Sequence, residues 1–167
     1  NENSAWVDNK GKLEKYSMEI LAHKLKHFTE ALGLDEFYFD DKIHNGNSIL
    51  RAIHYPPITQ DPGDAVRSAE HEDINLITML PAASESGLQI KPKGFDNWIP
   101  VEAPPGSIVI NIGDMLQELT EGVIPSTTHR VVNPTSDAIN KARLTAPVFC
   151  HPYPEMVLSD RYTAKSY

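Results

Sequence analysis

Two histidines and an aspartate have the residue types and the spacing that a metal site needs. His71 and Asp73 are two positions apart, and in an extended chain such side chains leave the same face of the strand. An imidazole and a carboxylate then converge on one point. His129, at the start of another β-rich run, supplies a second imidazole. Two imidazoles and one carboxylate on one face of an octahedral metal leave three positions open, which is the ligand set of non-haem Fe(II) centres.

The His-x-Asp pair is a weak signal when it stands alone. The sequence contains seven histidines, so such a pair also arises by chance, and a buried hydrogen-bonded pair without metal is then the favoured interpretation. A further two histidines, His23 and His27, lie four positions apart in a predicted helix and are spaced to share a metal. Their neighbours Lys24 and Lys26 favour a solvated helix face instead.

A second pair of residues, Arg143 and Thr145, is suited to binding a carboxylate. They are also two positions apart on a predicted strand and would share a face. A guanidinium binds a carboxylate through two parallel hydrogen bonds, and a hydroxyl beside it donates another. The pair therefore suits the distal carboxylate of a dicarboxylic acid, and Tyr55 is a candidate for one more hydroxyl. In isolation the favoured alternative is a structural salt bridge for Arg143 and a core position for Tyr55.

The elements that must position these residues are one helix and a set of short strands. Lys12–Leu32 is predicted to be a helix, because apolar residues recur there at spacings of three and four, and Gly33 is a suitable stop. The apolar positions are Leu13, Tyr16, Ile20, Leu21, Leu25, Phe28 and Leu32. From Ser48 onward the chain breaks into β-rich runs separated by Pro and Gly. These runs are Ile49–Tyr55, Ile74–Leu80, Leu88–Lys91, Trp98–Val101, Ser107–Ile112, Thr128–Val132 and Arg143–Cys150.

Many short strands punctuated by turn residues indicate a sandwich or barrel rather than alternating strands and helices. The chain is therefore predicted to be mainly β, with one N-terminal helix packed against an all-β body. We expect residues 1–47 to form the helical segment and residues 48–167 the β domain. Asn111, Gly113 and Asp114 are predicted to shape a tight turn between strands. Trp98 is expected in the core, and Arg130 is expected to make a structural pair on the face opposite His129.

Composition limits the classes of partner. The 167 residues include 40% hydrophobic residues, enough for one buried core, and carry a net charge of −8. That charge disfavours nucleic acid and anionic membranes as partners. The single cysteine, Cys150, excludes an internal disulfide and fits a reducing, cytoplasmic location. The sequence begins without Met, so we expect a fragment or a processed product, and it gives no oligomeric state.

Several ordered segments resemble a known enzyme family. The segment Leu50–Pro57 is similar to the Asn-Tyr-Tyr-Pro-Pro motif of the isopenicillin N synthase-like 2-oxoglutarate oxygenases, with Ile53 in place of the family's Asn. Arg143-x-Thr145 takes the place of the family's Arg-x-Ser. The resemblance runs from about Leu50 to Pro154, and its remaining segments are Gly87–Ile90, Trp98–Val101, Pro105–Leu116, Thr120–Gly122 and Ser126–Val132.

The resemblance implies a double-stranded β-helix, or jelly roll, with the metal inside its open end. It implies that Fe(II) is bound by His71, Asp73 and His129. It also implies that 2-oxoglutarate is bound by Arg143 and Thr145, with Tyr55 as a further contact. Thr145 keeps the hydroxyl of the family's Ser, so retention of the co-substrate is expected. The family's larger N-terminal region is represented here only by the predicted helix, so we expect parts that contact the substrate to be missing.

The activity implied is oxidation of a small organic substrate by O2, coupled to decarboxylation of 2-oxoglutarate. Halogenating relatives have lost the metal-binding carboxylate, so Asp73 favours hydroxylation, desaturation or ring closure. Two alternatives remain open at this point. One is an Fe(II) and O2 oxidase of the same family that does not use 2-oxoglutarate, and the other is a non-catalytic jelly-roll fragment. The sequence does not identify the substrate.

Overall fold

The computed structural model of the chain describes residues 2–134 and 141–167, and leaves out the side chains of residues 2–11, 13 and 14. The described residues contain three helices, α1 (Glu2–Leu32), α2 (Asp40–His44) and α3 (Asp114–Leu119). They also contain ten strands: β1 (Ile49–Leu50), β2 (Ile53–Tyr55), β3 (Ser68–His71), β4 (Ile77–Pro81), β5 (Leu88–Lys91), β6 (Ile99–Pro100), β7 (Ile108–Ile112), β8 (Thr128–Val131), β9 (Arg143–Thr145) and β10 (Val148–Cys150).

The long helix α1 ends where the sequence predicts but begins ten residues earlier. Gly33 has a left-handed backbone (φ 68°), its N–H donates to Glu30 O, and the Leu34 N–H donates to Thr29 O at 2.8 Å. This pair of bonds is a Schellman motif, which satisfies the last carbonyl groups of a helix and favours glycine at the left-handed position. The predicted stop at Gly33 is therefore explained by its backbone.

The buried stripe of α1 differs from the predicted one. Ser17, Leu21, Leu25 and Thr29 are fully buried and lie four positions apart, whereas Tyr16 is exposed. The predicted position Leu13 lies outside the described side chains. Leu21 and Leu25 belong to one core with residues of β4 and β10, so α1 packs on the β body as expected. The predicted boundary between residues 47 and 48 remains a prediction.

The strands form two four-stranded antiparallel sheets, ordered β1-β10-β4-β7 and β3-β8-β5-β6, and a short pair β2-β9. In each large sheet an early strand lies beside a late one, since β1 pairs with β10 and β3 pairs with β8. This strand order is that of a double-stranded β-helix, and it confirms the predicted mainly β jelly roll. The order also brings residues far apart in sequence to one end of the barrel.

The strands β4 and β10 are covered on both faces. Ile77 and Met79 of β4 lie in the core with α1, while Thr78 between them lines the barrel interior. In β10, Val148 and Cys150 lie in that core, while Phe149 lines the interior. Because successive side chains point to opposite faces of a strand, these short strands connect the helix-covered core with the interior cavity.

Several predicted strand boundaries are wrong. The run Arg143–Cys150 is two strands in different sheets, interrupted at Ala146 and Pro147, because proline cannot donate to a ladder. The run Ile49–Tyr55 is likewise split into β1 and β2. The strand expected from Ile74 begins only at Ile77, after a bend over residues 74–76.

The predicted turn at residues 111–114 is also wrong. Asn111 lies within β7, and Gly113 and Asp114 begin α3. Trp98 is half-buried outside the main core, with the Arg130 guanidinium carbon 4.1 Å from its ring centroid. Arg130 also donates from Nε to Gln89 Oε1 at 2.9 Å, which is the structural pair that was expected. In the part of the chain that the structure describes, no helix has the length and apolarity required to cross a membrane.

Candidate metal site and adjoining pocket

The three residues singled out in the sequence meet at one point. His71, Asp73 and His129 each offer a ligand atom, and these atoms lie within 4.8 Å of one another. Asp73 Oδ1 is 3.9 Å from His71 Nε2 and 3.8 Å from His129 Nε2. When each metal–ligand bond is about 2.1 Å long, two ligand atoms at a right angle about the metal lie about 3.0 Å apart. Metal binding would therefore require each of these two distances to shorten by about 0.8–0.9 Å.

Strand pairing places the two imidazoles side by side. His71 at the end of β3 is the register partner of His129 in β8, and their ring centroids are 4.3 Å apart. A register shift in the ladder lies between Ser68 and His71. Asp73 lies beyond the end of β3, so His71 and Asp73 do not share one strand. Their side chains nevertheless converge.

Hydrogen bonds to the backbone orient both imidazoles. His71 Nδ1 lies 2.8 Å from Ala69 O, and His129 Nδ1 lies 2.9 Å from Thr127 O. A carbonyl only accepts, so each Nδ1 carries the proton in these bonds, and in the neutral imidazole each Nε2 then carries the lone pair that a metal needs. Metal-binding histidines in proteins are fixed in this way.

The two oxygens of the Asp73 carboxylate have different partners. Its Oδ2 accepts hydrogen bonds from Thr78 Oγ1 at 2.6 Å and from Asn111 Nδ2 at 2.9 Å. Thr78 and Asn111 are directly opposite each other in the pairing of β4 with β7. Thr78 Oγ1 in turn accepts from Asn75 Nδ2 at 2.8 Å. Since Oδ2 has these donors, Oδ1 is the oxygen left facing the imidazoles.

Backbone hydrogen bonds hold the chain from Asp73 to Leu76 against the start of α3. The Asp114 N–H donates to Asp73 O at 2.7 Å, and the Gly113 N–H donates to Leu76 O at 2.9 Å. A methyl group at Gly113 would meet Asp73 O at 2.8 Å and would also collide with Asn75. Only a residue without a side chain allows this close approach, so Gly113 is a structural requirement of the site.

The candidate ligands line an interior cavity of about 320 Å³. Its apolar walls come from both large sheets and include Leu80, Leu88, Ile90, Val109, Val131 and Phe149. The same cavity is lined by Tyr55, Arg143 and Thr145, the residues predicted to hold a carboxylate. The structure thus brings all six candidate residues together around one space.

Arg143 is buried, with a relative exposure of 2%. Its Nε donates to Glu85 O at 3.0 Å, and no carboxylate among the described residues forms a salt bridge with it. Burial lowers the pKa of the guanidinium, the neighbouring Tyr55 raises it, and the charge of Arg67 lowers it further. An arginine retains its charge in spite of such shifts, so the cavity wall carries a positive charge without a described acidic partner.

Tyr55 and Thr145 lie beside Arg143 through the pairing of β2 with β9. Tyr55 is the register partner of Arg143, and the Arg143 guanidinium carbon is 5.6 Å from the Tyr55 ring centroid. Thr145 Oγ1 is buried without a hydrogen-bond partner among the described residues. A buried hydroxyl with no partner is unfavourable, so Thr145 is a candidate donor for an acceptor bound at this part of the cavity.

Sequence reasoning missed the residues that support Asp73. Thr78 and Asn111 each interrupt an apolar run, Ile77–Met79 and Ile110–Ile112 respectively. A polar residue inside an apolar strand is a usable signal, because buried polar groups need partners. The expectation that His23 and His27 form a solvated face agrees with their exposed positions on α1.

Comparison with known proteins gives the family. Residues 46–152 match the family model described as the 2OG-Fe(II) oxygenase superfamily. The chain is 31% identical over 147 residues to a 2'-deoxymugineic-acid 2'-dioxygenase of Hordeum vulgare, covering 88% of this chain and 41% of the relative.

Solved structures agree with that match. A candidate oxygenase from Shewanella oneidensis is 46% identical with a TM-score of 0.78, over 93% of this chain and 60% of that one. A full-length Neurospora crassa protein, solved in complex with alpha-KG, is 30% identical with a TM-score of 0.69, over 84% and 47%. The chain thus spans about 41% to 60% of the length of these proteins.

Proposed function

The chain belongs to the 2OG-Fe(II) oxygenase superfamily, and on that premise we propose that it carries the iron and 2-oxoglutarate centre of an enzyme that oxidises a small organic molecule. The proposal is carried by one observation. A single cavity holds three converging ligand atoms and a buried arginine that has no described acidic partner. One group of residues suits a divalent cation and the other suits a carboxylate, and 2-oxoglutarate must contact both.

We assign Fe(II) to Nε2 of His71, Oδ1 of Asp73 and Nε2 of His129. The assignment is supported by the direction of the lone pairs, since the Nδ1 atoms of both histidines are engaged with backbone carbonyls. It is further supported by the two donors on Asp73 Oδ2, which leave Oδ1 free. Two nitrogens and one oxygen on one face suit Fe(II) and leave room for a bidentate ligand and O2.

We assign the distal carboxylate of 2-oxoglutarate to Arg143, Thr145 and Tyr55. A carboxylate has about four acceptor sites. The two terminal nitrogens of Arg143 and the hydroxyls of Thr145 and Tyr55 supply donors for them, and Thr145 has no other described partner. Release of succinate during turnover distinguishes a 2-oxoglutarate enzyme from an oxidase that does without this co-substrate.

When bound, Fe(II) and 2-oxoglutarate supply the activation of O2, with succinate and CO2 formed as the substrate is oxidised. The residues of this chain hold and orient these groups. Arg143 neutralises the distal carboxylate, the histidines and Asp73 fix the metal, and the apolar walls exclude water from the reacting centre. The retained carboxylate of Asp73 supports hydroxylation, desaturation or ring closure as the outcome.

The wider setting is also proposed. A net charge of −8 supports a small molecule rather than nucleic acid or an anionic membrane as the partner. Cys150 is a free thiol buried in the core, and burial raises its pKa to about 12. A single unpaired cysteine supports a reducing, cytoplasmic location.

Anaerobic titration with Fe(II) and 2-oxoglutarate tests this function. The folded chain should develop a visible charge-transfer absorption that requires both components, and Asp73→Ala should not develop it. Supplied with O2 and a substrate found by screening, the protein should release succinate in proportion to oxidised substrate. A folded wild-type chain without the absorption, or substrate oxidation without succinate, would contradict the proposal.

A further inference from the structure

Arg67 is a second arginine of the cavity that the proposed iron and 2-oxoglutarate centre does not use. It lies immediately before β3 and lines the same cavity as Arg143. Its Nη2 donates to Lys141 O at 3.0 Å. Its Nε and Nη1 are buried and have no hydrogen-bond partner among the described residues. Buried donors of a charged group are costly to leave unpaired, so these two atoms indicate a missing acceptor.

Arg67 and Arg143 both lie near the ring of Tyr55. Their guanidinium carbons are 5.9 Å and 5.6 Å from the Tyr55 ring centroid. The charge of Arg67 contributes to the lowered pKa of Arg143, after burial. Two neighbouring cations repel each other, and no acidic side chain in the described part of the chain forms a salt bridge with Arg67. Anions in the cavity would relieve this repulsion.

A charge balance shows how many anionic groups the cavity can accommodate. Three arginines line it, Arg51, Arg67 and Arg143, against one acidic residue, Asp73. Fe(II) would add two positive charges and 2-oxoglutarate two negative ones, so the loaded cavity would retain two positive charges. The donors that Arg143, Thr145 and Tyr55 offer already match the acceptor sites of one distal carboxylate. The excess charge and the unpaired donors of Arg67 are therefore available to another ligand.

We propose, resting on the function proposed above, that Arg67 binds an anionic oxygen group of the substrate, so that the substrate is an organic acid. The guanidinium matches a carboxylate or a phosphate ester, because both present paired oxygens to its planar donors. Arg51 has an exposed side chain on the same cavity and adds to the positive field that attracts such a substrate. Arg67 is thereby a specificity-determining residue, whereas Arg143 is the co-substrate residue.

Paired probes test the proposal on the full chain loaded anaerobically with Fe(II) and 2-oxoglutarate. The probes are hexanoate, benzoate and phenylacetate, each with its primary amide, together with phenyl phosphate. Binding is measured by calorimetry and by the rise in Tm. At least one anion should bind about tenfold or more tightly than its neutral partner, the scale of a charge-assisted hydrogen bond. Phenyl phosphate binding better than every carboxylate would identify the anion as a phosphate ester.

Arg67→Gln should reduce the preference for an anionic probe over its neutral amide to less than threefold. It should leave the affinity for 2-oxoglutarate within threefold of wild type. Arg161→Gln is the matched control, because Arg161 is exposed and pairs with Glu118 away from the cavity. The control should keep the preference. The proposal is overturned if no anion is preferred over its neutral partner, or if Arg67→Gln keeps the preference.

The result for 2-oxoglutarate separates this proposal from the proposed function. If Arg67→Gln weakens 2-oxoglutarate as strongly as Arg143→Gln does, Arg67 belongs to the co-substrate site and the proposal is wrong. If the wild-type chain forms no charge-transfer absorption with Fe(II) and 2-oxoglutarate, the function itself is wrong and this inference fails with it. If the absorption forms but anions gain no advantage, only the assignment of Arg67 fails.

Discussion

The side chains that line the two ends of the interior cavity differ in how far the chain itself satisfies their polar groups. At the metal end, each imidazole Nδ1 has a carbonyl partner and Asp73 Oδ2 has two donors. At the arginine end, Thr145 Oγ1 and two nitrogens of Arg67 are buried without partners among the described residues. Both ends line the same cavity.

This difference separates a site that is already organised from a site that a ligand must complete. At the metal end the chain aims its lone pairs with its own hydrogen bonds, so a cation finds the ligands in position. At the arginine end each unpaired buried donor costs about 1–3 kcal/mol. An anion that supplies the missing acceptors recovers this free energy on binding. The two ends should therefore respond differently to substitution.

Asp73→Ala should have the largest effect. It removes the only acidic residue among the three candidate ligands and the acceptor of both Thr78 and Asn111. Supporting residues of metal sites are worth about 10- to 100-fold in affinity, so loss of the ligand itself should weaken Fe(II) by more than about 100-fold and abolish oxidation. Metal content after dialysis and the charge-transfer absorption measure the effect.

The matched control for this prediction is Glu70→Ala. Glu70 is an exposed acid in β3 whose nearest described cation, Lys91, is 4.0 Å away. The Glu70→Ala variant should bind Fe(II) as tightly as the wild-type chain does. Equal metal loss in both variants would mean that general negative charge, and not the Asp73 ligand, holds the ion.

The convergence of the candidate metal ligands was predictable from sequence, but their supporting structure was not. The spacing of His71 and Asp73 correctly suggested convergence, although the two residues do not share a strand. β3 has the sequence Ser-Ala-Glu-His, with no apolar alternation, and forms because it pairs with β8. Tertiary pairing of this kind overrides local propensity. Because β3 was not predicted, Arg67 beside it was not recognised as a cavity residue.

The fold class was also predictable from the sequence, but the register between paired strands was not. Short runs punctuated by Pro and Gly indicated the β architecture, but only pairing across the chain brings Thr78 opposite Asn111. Gly113 illustrates what a single sequence does not predict, since in the sequence it resembled a turn residue. The structure shows that it allows the bend at Asp73 to approach α3. Such close approaches depend on contacts between distant segments, which a single sequence does not display.

Arg143→Gln should have the next largest effect, confined to the arginine end. Removing the charge should weaken 2-oxoglutarate by about 1.5–3 kcal/mol, roughly 10- to 150-fold. Because the metal end is organised by other residues, Fe(II) affinity should stay within threefold of wild type. Titrations of each component separately would measure both affinities. Comparable losses of both affinities would show that the two ends are coupled, which would contradict the contrast between them.

Thr78→Val tests the claim that the metal end is preorganised by its hydrogen bonds. Valine keeps the shape but removes the hydroxyl that donates to Asp73 and accepts from Asn75. Fe(II) affinity should fall about tenfold, the lower end of the range for supporting residues. Asn75 loses its acceptor, so unfolding free energy should fall by about 1–3 kcal/mol. Denaturant unfolding without metal separates these effects, and unchanged stability would remove Thr78 from the supporting network.

Thr145→Val makes the same chemical change at the other end and should have the smallest effect. The Thr145 hydroxyl has no described partner, so replacing it with a methyl group should leave the unfolding free energy unchanged or raise it by about 1 kcal/mol. The affinity for 2-oxoglutarate should nevertheless fall about fivefold, the value of one neutral hydrogen bond. Opposite signs of the stability change in the two threonine variants would support the contrast between the ends. A loss of stability in Thr145→Val as large as that in Thr78→Val would mean that both ends are organised by the chain alone.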